Sequence, residues 1–121
     1  MKNRILIVED EQIIAEDLKE TLKNIGFEDC QIENSAEQAL EIIKKQKPDL
    51  IIIDIKLTDE MDGIELVKSI NKIEDIPVIY FTAYADKKVI QKAMETKPVA
   101  YLIKPVIEKE LLDTINSALS K

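Results

Sequence analysis

Leu50-Ile51-Ile52-Ile53-Asp54 is a run of four aliphatic residues closed by an acid, and its reading decides the fold. Opened by Pro48-Asp49, it is short and apolar at every position, the pattern of a strand buried on both faces. In an open parallel sheet, ligands bind outside the carboxyl ends of the strands. Asp54 is therefore placed for chemistry rather than for packing.

Working outward, Ile5-Leu6-Ile7-Val8 is a second run of this kind and ends in Glu9-Asp10-Glu11. Ile14, Leu18, Leu22 and Ile25 then recur at helical spacing, with Gly26 placed to stop the helix in a left-handed turn. Cys30-Gln31-Ile32-Glu33 alternates as an edge strand would. Ser35 and Gln38 have the form of a capping box for a helix that buries Ala39, Leu40 and Ile43 and runs to about Gln46. Beyond Asp54, Asp59, Asp62 and Gly63 form a turn-rich loop before a short helix marked by Ile64, Val67 and Ile70. Residues Ile76 to Phe81 give a fourth strand, with Pro77 tolerated at its start, ending in Thr82-Ala83. Asp86 caps a helix carrying Val89, Ile90 and Ala93. Ala100 to Ile103 form a fifth strand ending in Lys104-Pro105, and Leu111, Leu112, Ile115, Ala118 and Leu119 give the last helix its apolar stripe. Five uninterrupted strand–helix units predict an α/β fold: a doubly wound parallel sheet, helices on both faces and right-handed crossovers.

The chain's 121 residues suit one domain, with no second, output domain expected in it. Its formal charge of −7, from 17 basic against 24 acidic residues, argues against direct nucleic-acid binding, which needs a clustered positive face. One cysteine, Cys30, cannot close an internal disulfide and reads as a small core residue. Met1-Lys2-Asn3-Arg4 leads into only four apolar residues, unlike a signal peptide, and no run approaches a membrane span. A cytoplasmic location without membrane contact is expected.

A parallel sheet brings the ends of strands one, three, four and five to one edge, and with them Glu9, Asp10, Asp54, Thr82 and Lys104. Singly, Asp10 could cap a helix, Thr82 could be an ordinary strand residue and Lys104 a solvated cation. Together they ask for a different explanation. At about 4 Å a like-charge pair costs roughly 1 kcal/mol in water and up to ~4 at an effective dielectric of 20, so the three carboxylates call for a cation. Oxygen ligands in a chain without histidine suit Mg²⁺. The Thr82 hydroxyl and the Lys104 ammonium would clamp an anionic phosphoryl group on Asp54, which makes the site one for phosphoryl transfer to a carboxylate nucleophile.

From Arg4 to Leu119 the sequence resembles the receiver domain of two-component response regulators. The resemblance rests on Val8-Glu9-Asp10-Glu11, Ile53-Asp54, Met61-Asp62-Gly63, Thr82-Ala83 and Tyr101-Leu102-Ile103-Lys104-Pro105. The separations are 44 residues from Asp10 to Asp54, 28 to Thr82 and 22 to Lys104. The resemblance implies a flavodoxin-like sheet of order 2-1-3-4-5. It implies a signalling switch rather than a turnover enzyme, one that promotes its own phosphorylation and dephosphorylation and that could be a fragment of a hybrid histidine kinase. By the same resemblance Asp54 is the phosphoacceptor, charged from the phosphohistidine of a sensor histidine kinase or phosphotransfer domain. Asp10, Asp54 and the Lys56 carbonyl would bind Mg²⁺, with Glu9 acting through water. Thr82, the Ala83 amide and Lys104 would hold the phosphate, Thr82 and Tyr101 would form the switch, and the peptide before Pro105 would be cis. A downstream protein or fused output domain is implied as partner, as is a phosphorylation-dependent dimer.

The chain departs from the family pattern in three places. The loop after Asp54 lacks the usual proline near Thr58 and carries one residue more before Gly63, Lys97-Pro98-Val99 replaces the usual glycine, and Ile107 stands where a capping aspartate is common. Other functions fare worse. A phosphatase with an aspartyl-phosphate intermediate would want an acid two residues after Asp54, where Lys56 stands. A flavin or nucleotide binder would want a glycine-rich loop, and the glycines are Gly26 and Gly63. A docking module of receiver type that works without phosphorylation is the alternative, disfavoured because every site position is filled.

Overall fold

The computed structural model describes residues 3–57 and 61–120. Strands and helices alternate: β1 (Ile5–Val8), α1 (Gln12–Asn24), β2 (Cys30–Glu33), α2 (Ala36–Lys45), β3 (Leu50–Ile53), α3 (Gly63–Ile73), β4 (Val78–Thr82), α4 (Lys87–Met94), β5 (Ala100–Ile103) and α5 (Glu108–Leu119). The strands form one parallel sheet in the order β2-β1-β3-β4-β5. Side chains alternate across a strand, so the two-sided runs split between two cores. Leu6, Val8, Ile51, Ile53, Val78 and Tyr80 face α2, α3 and α4. Ile5, Ile7, Leu50, Ile52 and Ile79 face α1 and α5. All four residues of β1 and of β3 are buried.

Local chemistry sets the element ends. The Ser35 hydroxyl accepts from the Gln38 N–H at 3.2 Å, and the Asp86 carboxylate caps α4 through the Lys88 and Val89 N–H groups. Gly26 ends α1 at φ 107°, where a side chain would be strained.

Details differ from the sequence reading. β4 starts at Val78 and takes in Thr82, because Pro77 has no N–H to give the ladder and offers only its carbonyl, to the Ile51 N–H at 3.0 Å. The buried face of α1 runs through Ala15, Leu18 and Leu22, leaving Ile14 half-buried and Ile13 84% exposed. Asp62 and Gly63 belong to α3 as cap and first residue, the Asp62 carboxylate accepting from the Glu65 N–H at 2.9 Å. Thr58 and Asp59, in the loop read as irregular, lie outside the described residues. Among the described residues, no helix is long and apolar enough to cross a membrane.

Candidate functional site

Main-chain bonds carry the sheet register past the strand ends and so fix where the polar side chains emerge. The Asp54 N–H donates to Val8 O at 3.0 Å, the Glu9 N–H to Glu33 O at 3.1 Å and the Lys104 N–H to Thr82 O at 2.8 Å. Glu9, Asp54, Thr82 and Lys104 therefore leave neighbouring strands on one edge. Carboxylate oxygens of Glu9, Asp10 and Asp54 come within 4.8 Å of one another. Glu9 and Asp54 are buried, and Thr82 is fully so. At that separation, a like-charge pair costs roughly 3.5 kcal/mol at an effective dielectric of 20.

The Lys104 ammonium offsets part of this cost. Its Nζ donates to Glu9 Oε1 at 2.8 Å and to Asp54 Oδ2 at 3.3 Å. The same ammonium lies 5.3 Å from the centroid of the Phe81 ring, which can hold a cation on its face. Burial lifts the Glu9 carboxyl to about 7; the Lys104 hydrogen bond opposes this and the Asp54 charge adds to it. Burial would lower the Lys104 pKa, but the Glu9 hydrogen bond and the Asp54 charge overcome it and hold the ammonium above its usual value.

Asp10 is half-buried beside this pair, and it is not a helix cap: the residue at that position of α1 is Glu11, which makes no side-chain cap. Instead the Glu11 N–H donates to Glu9 Oε2 at 3.2 Å. Lys56 is exposed on the loop after β3, between the buried Ile55 and Leu57. Ala83 is exposed beyond β4, and the Thr82 Oγ accepts from the Tyr84 N–H at 3.5 Å. The Tyr101 ring is half-buried, and its hydroxyl donates to the Tyr84 carbonyl at 2.9 Å. The Lys104–Pro105 peptide is cis.

Three residues escaped the sequence reading. Phe81 beneath Lys104 was read only as a strand residue. Gly63 was read as a turn, but a Cβ there would overlap the Asp54 carbonyl oxygen and lie 2.8 Å from Ile55 Cα. Its glycine identity thus comes from close approach to the backbone of Asp54 and Ile55. Tyr80 makes a buried hydrogen bond to Thr96 at 2.8 Å, and only the unusual phenol inside an apolar strand hinted at a partner. A cleft at the opposite edge of the sheet, between Lys47, Asp75 and Lys97, is remote from these groups and, among the described residues, gathers no comparable cluster.

This arrangement has close parallels among known proteins. The chain matches the response regulator receiver domain family over residues 5–116. It is 37% identical over 120 residues to the sporulation initiation phosphotransferase F of Bacillus subtilis, covering 98% of this chain and 95% of that protein. It is 33% identical over 118 residues to the transcriptional regulatory protein PdtaR of Mycobacterium tuberculosis, covering 98% of this chain but 57% of that one, so the chain spans just over half of that relative. Among solved structures, a CheY-like response regulator receiver domain protein from Methanospirillum hungatei superposes with a TM-score of 0.87 at 32% identity, covering 98% and 94% of the two chains. The signal receiver domain of a modulated diguanylate cyclase from Desulfovibrio desulfuricans does so with 0.90 at 28%, again covering 98% and 94%. Sequence match, strand order and the acid-rich edge agree: the chain belongs to the response regulator receiver domain family of two-component signalling.

Proposed function

We propose that Asp54 is a phosphoacceptor, charged from a phosphohistidine of a sensor histidine kinase or phosphotransfer domain. The observation that carries this reading is the buried Asp54 carboxylate, which shares one ammonium with Glu9 and sits among acids at the carboxyl edge of the sheet. In the transfer an Asp54 carboxylate oxygen forms the new O–P bond, the P–N bond breaks, and the imidazole leaves and takes up a proton. The Lys104 ammonium is already 3.3 Å from Asp54 Oδ2, within reach of the incoming phosphoryl oxygens. The Thr82 hydroxyl and the Ala83 amide complete the cradle.

The donor set fits Mg²⁺, since it consists of hard oxygens with room for more than one carboxylate. Asp10, Asp54 and the Lys56 carbonyl would hold the ion directly and Glu9 through water. When bound, it neutralises the acids and draws charge from the phosphoryl oxygens. The chain then works as one receiver unit. Thr82 turns toward the phosphoryl group, Tyr101 leaves the Tyr84 carbonyl to fill the space, and the face formed by α4, β5 and α5 changes shape for a downstream protein, a fused output domain or a second copy. Exposed Lys56 supplies no acid to drive turnover, which favours a switch over a phosphatase.

Incubation with acetyl phosphate and Mg²⁺, followed by intact mass measurement, tests the reading without a kinase. The parent protein should gain one phosphoryl group and Asp54→Asn none. Equal labelling of both would place the acceptor elsewhere and reject it.

A further inference from the structure

Tyr80 is the largest fully buried side chain among the described residues. A tyrosine there is costly unless its hydroxyl finds a partner. That partner is the Thr96 Oγ, at 2.8 Å, just past the end of α4. The Thr96 hydroxyl donates its own hydrogen to the Ala93 carbonyl, so it must accept from Tyr80. The Thr96 carbonyl in turn accepts from Asn71 Nδ2 on α3 at 3.1 Å. The carboxyl end of α4 is thus fastened to β4 and to α3, with Thr96 only 8% exposed.

Tyr80 also adjoins both residues assigned to the switch. Alternation along β4 puts it on the same side of the sheet as Thr82. It is in register with Tyr101 on β5, and the two rings lie 5.8 Å apart, inclined at 42°. Tyr101 is held at its far end by the Tyr84 carbonyl, in the connection that leads into the amino end of α4. The two ends of α4 are therefore held differently. The amino end depends on a half-buried hydroxyl that the switch must release; the carboxyl end depends on a buried one.

We propose that Tyr80 is a positioning residue that makes the carboxyl end of α4 a hinge: its hydroxyl anchors Thr96 while its ring supports Tyr101, so that α4 responds to the site by swinging from its amino end. The inference rests on the reading of Thr82 and Tyr101 as the switch. Release of Tyr101 from Tyr84 frees the first turn of α4. Moving the last turn would strip the buried Tyr80 hydroxyl of the Thr96 hydroxyl, the partner it has in the core. The helix therefore pivots rather than slides.

Amide spectra recorded with Mg²⁺, before and after adding beryllofluoride as a phosphoryl mimic, test this on the parent, Tyr80→Phe, Thr96→Val and Thr96→Ser. In the parent, shifts should be large from 84 to 90 and fade by 93–97. In Tyr80→Phe and Thr96→Val they should spread into 93–97, and Thr96→Ser, which keeps the hydroxyl, should restore the parent pattern. All four should be labelled by acetyl phosphate at rates within about twofold, because none of these changes touches the phosphoryl group. A packing role alone would lower the melting temperature and leave the shift pattern as it was. The hinge is overturned if 93–97 move as much as 84–90 in the parent, or if the variants keep the parent pattern. If the parent is phosphorylated but α4 and Tyr101 do not respond, the switch reading falls and the hinge with it. If the parent is not phosphorylated, the phosphoacceptor reading itself has failed.

Discussion

The Lys104 ammonium lies 2.8 Å from Glu9 Oε1 and so joins the ends of β5 and β1 across the two strands between them. Together with its 3.3 Å bond to Asp54 Oδ2, this makes Lys104 the counter-ion of the acid cluster. Removing one partner of a buried ion pair costs about 3–5 kcal/mol. Lys104 keeps 16% of its side chain exposed, so Lys104→Met should lower metal-free stability by about 2 kcal/mol, below that range. Mg²⁺ should restore more stability to this variant than to the parent, because it replaces a lost charge. Urea unfolding with chelator and with Mg²⁺ checks both statements; an equal loss in the two conditions would contradict them.

The Glu9 carboxyl, lifted from 4.5 to about 7 by burial with Asp54 adding, gives a pH dependence of definite sign. Between these values the folded chain holds a proton that the unfolded chain has lost. This contribution is complete below about 4.5, is lost as pH rises to about 7 and then levels off. Mg²⁺ favours the ionised cluster and should flatten the slope. Melts of the metal-free parent against Glu9→Gln isolate the effect, since the variant should lack it. Parallel pH profiles for the two proteins would show that Glu9 is not its source.

Gly63→Ala should be far more damaging than Gly26→Ala, for a different reason. At Gly26 a Cβ meets nothing within 4 Å, and the cost is the left-handed backbone alone, about 1–2 kcal/mol. At Gly63 the Cβ overlaps the Asp54 carbonyl, and backbone must shift, which costs about 3 kcal/mol or more and displaces Asp54. Denaturant midpoints rank the pair. Comparable losses would mean that the turn after Asp54 yields easily.

Much of this was legible in the sequence because β1 and β3 are apolar at every position and Glu9-Asp10, Asp54, Thr82 and Lys104 stand at the ends of such runs. Strand ends are fixed by topology, so a parallel sheet brings them together whatever the side chains do. What escaped depends on side-chain direction. Nothing in the order Tyr80-Phe81-Thr82 says that the phenol reaches Thr96 or that the phenyl ring lies under Lys104. The face of α1 was legible through Leu18 and Leu22, which are buried, but not through Ala15, which weighs little in a count of large apolar residues and yet is fully buried while Ile14 is only half so.

Two junctions noted as departures from the family pattern carry residues that local geometry does not favour. Lys97 adopts φ 59° after α4, a left-handed conformation costing a side-chain-bearing residue about 1–2 kcal/mol, of which glycine would give back part in chain entropy. Ile107 opens α5 without a side-chain cap and is 70% exposed, and an aspartate there should contribute about 1 kcal/mol. Lys97→Gly and Ile107→Asp should each raise the melting temperature. The sites lie at opposite ends of the sheet, so their effects should add. A fall in either variant would mean that the native residue makes an interaction in solution that outweighs the local gain.

The central claim is that Asp54, and no other acid of the cluster, takes the phosphoryl group. An acyl phosphate can be trapped by borohydride, which reduces the phosphorylated carboxyl to an alcohol and so turns aspartate into homoserine. Treating the protein with acetyl phosphate and Mg²⁺, trapping, digesting and weighing the peptides should place homoserine at position 54 alone, and the mark should disappear when Mg²⁺ is chelated beforehand. Homoserine at position 10, or a parent protein left unmarked under these conditions, would contradict the account.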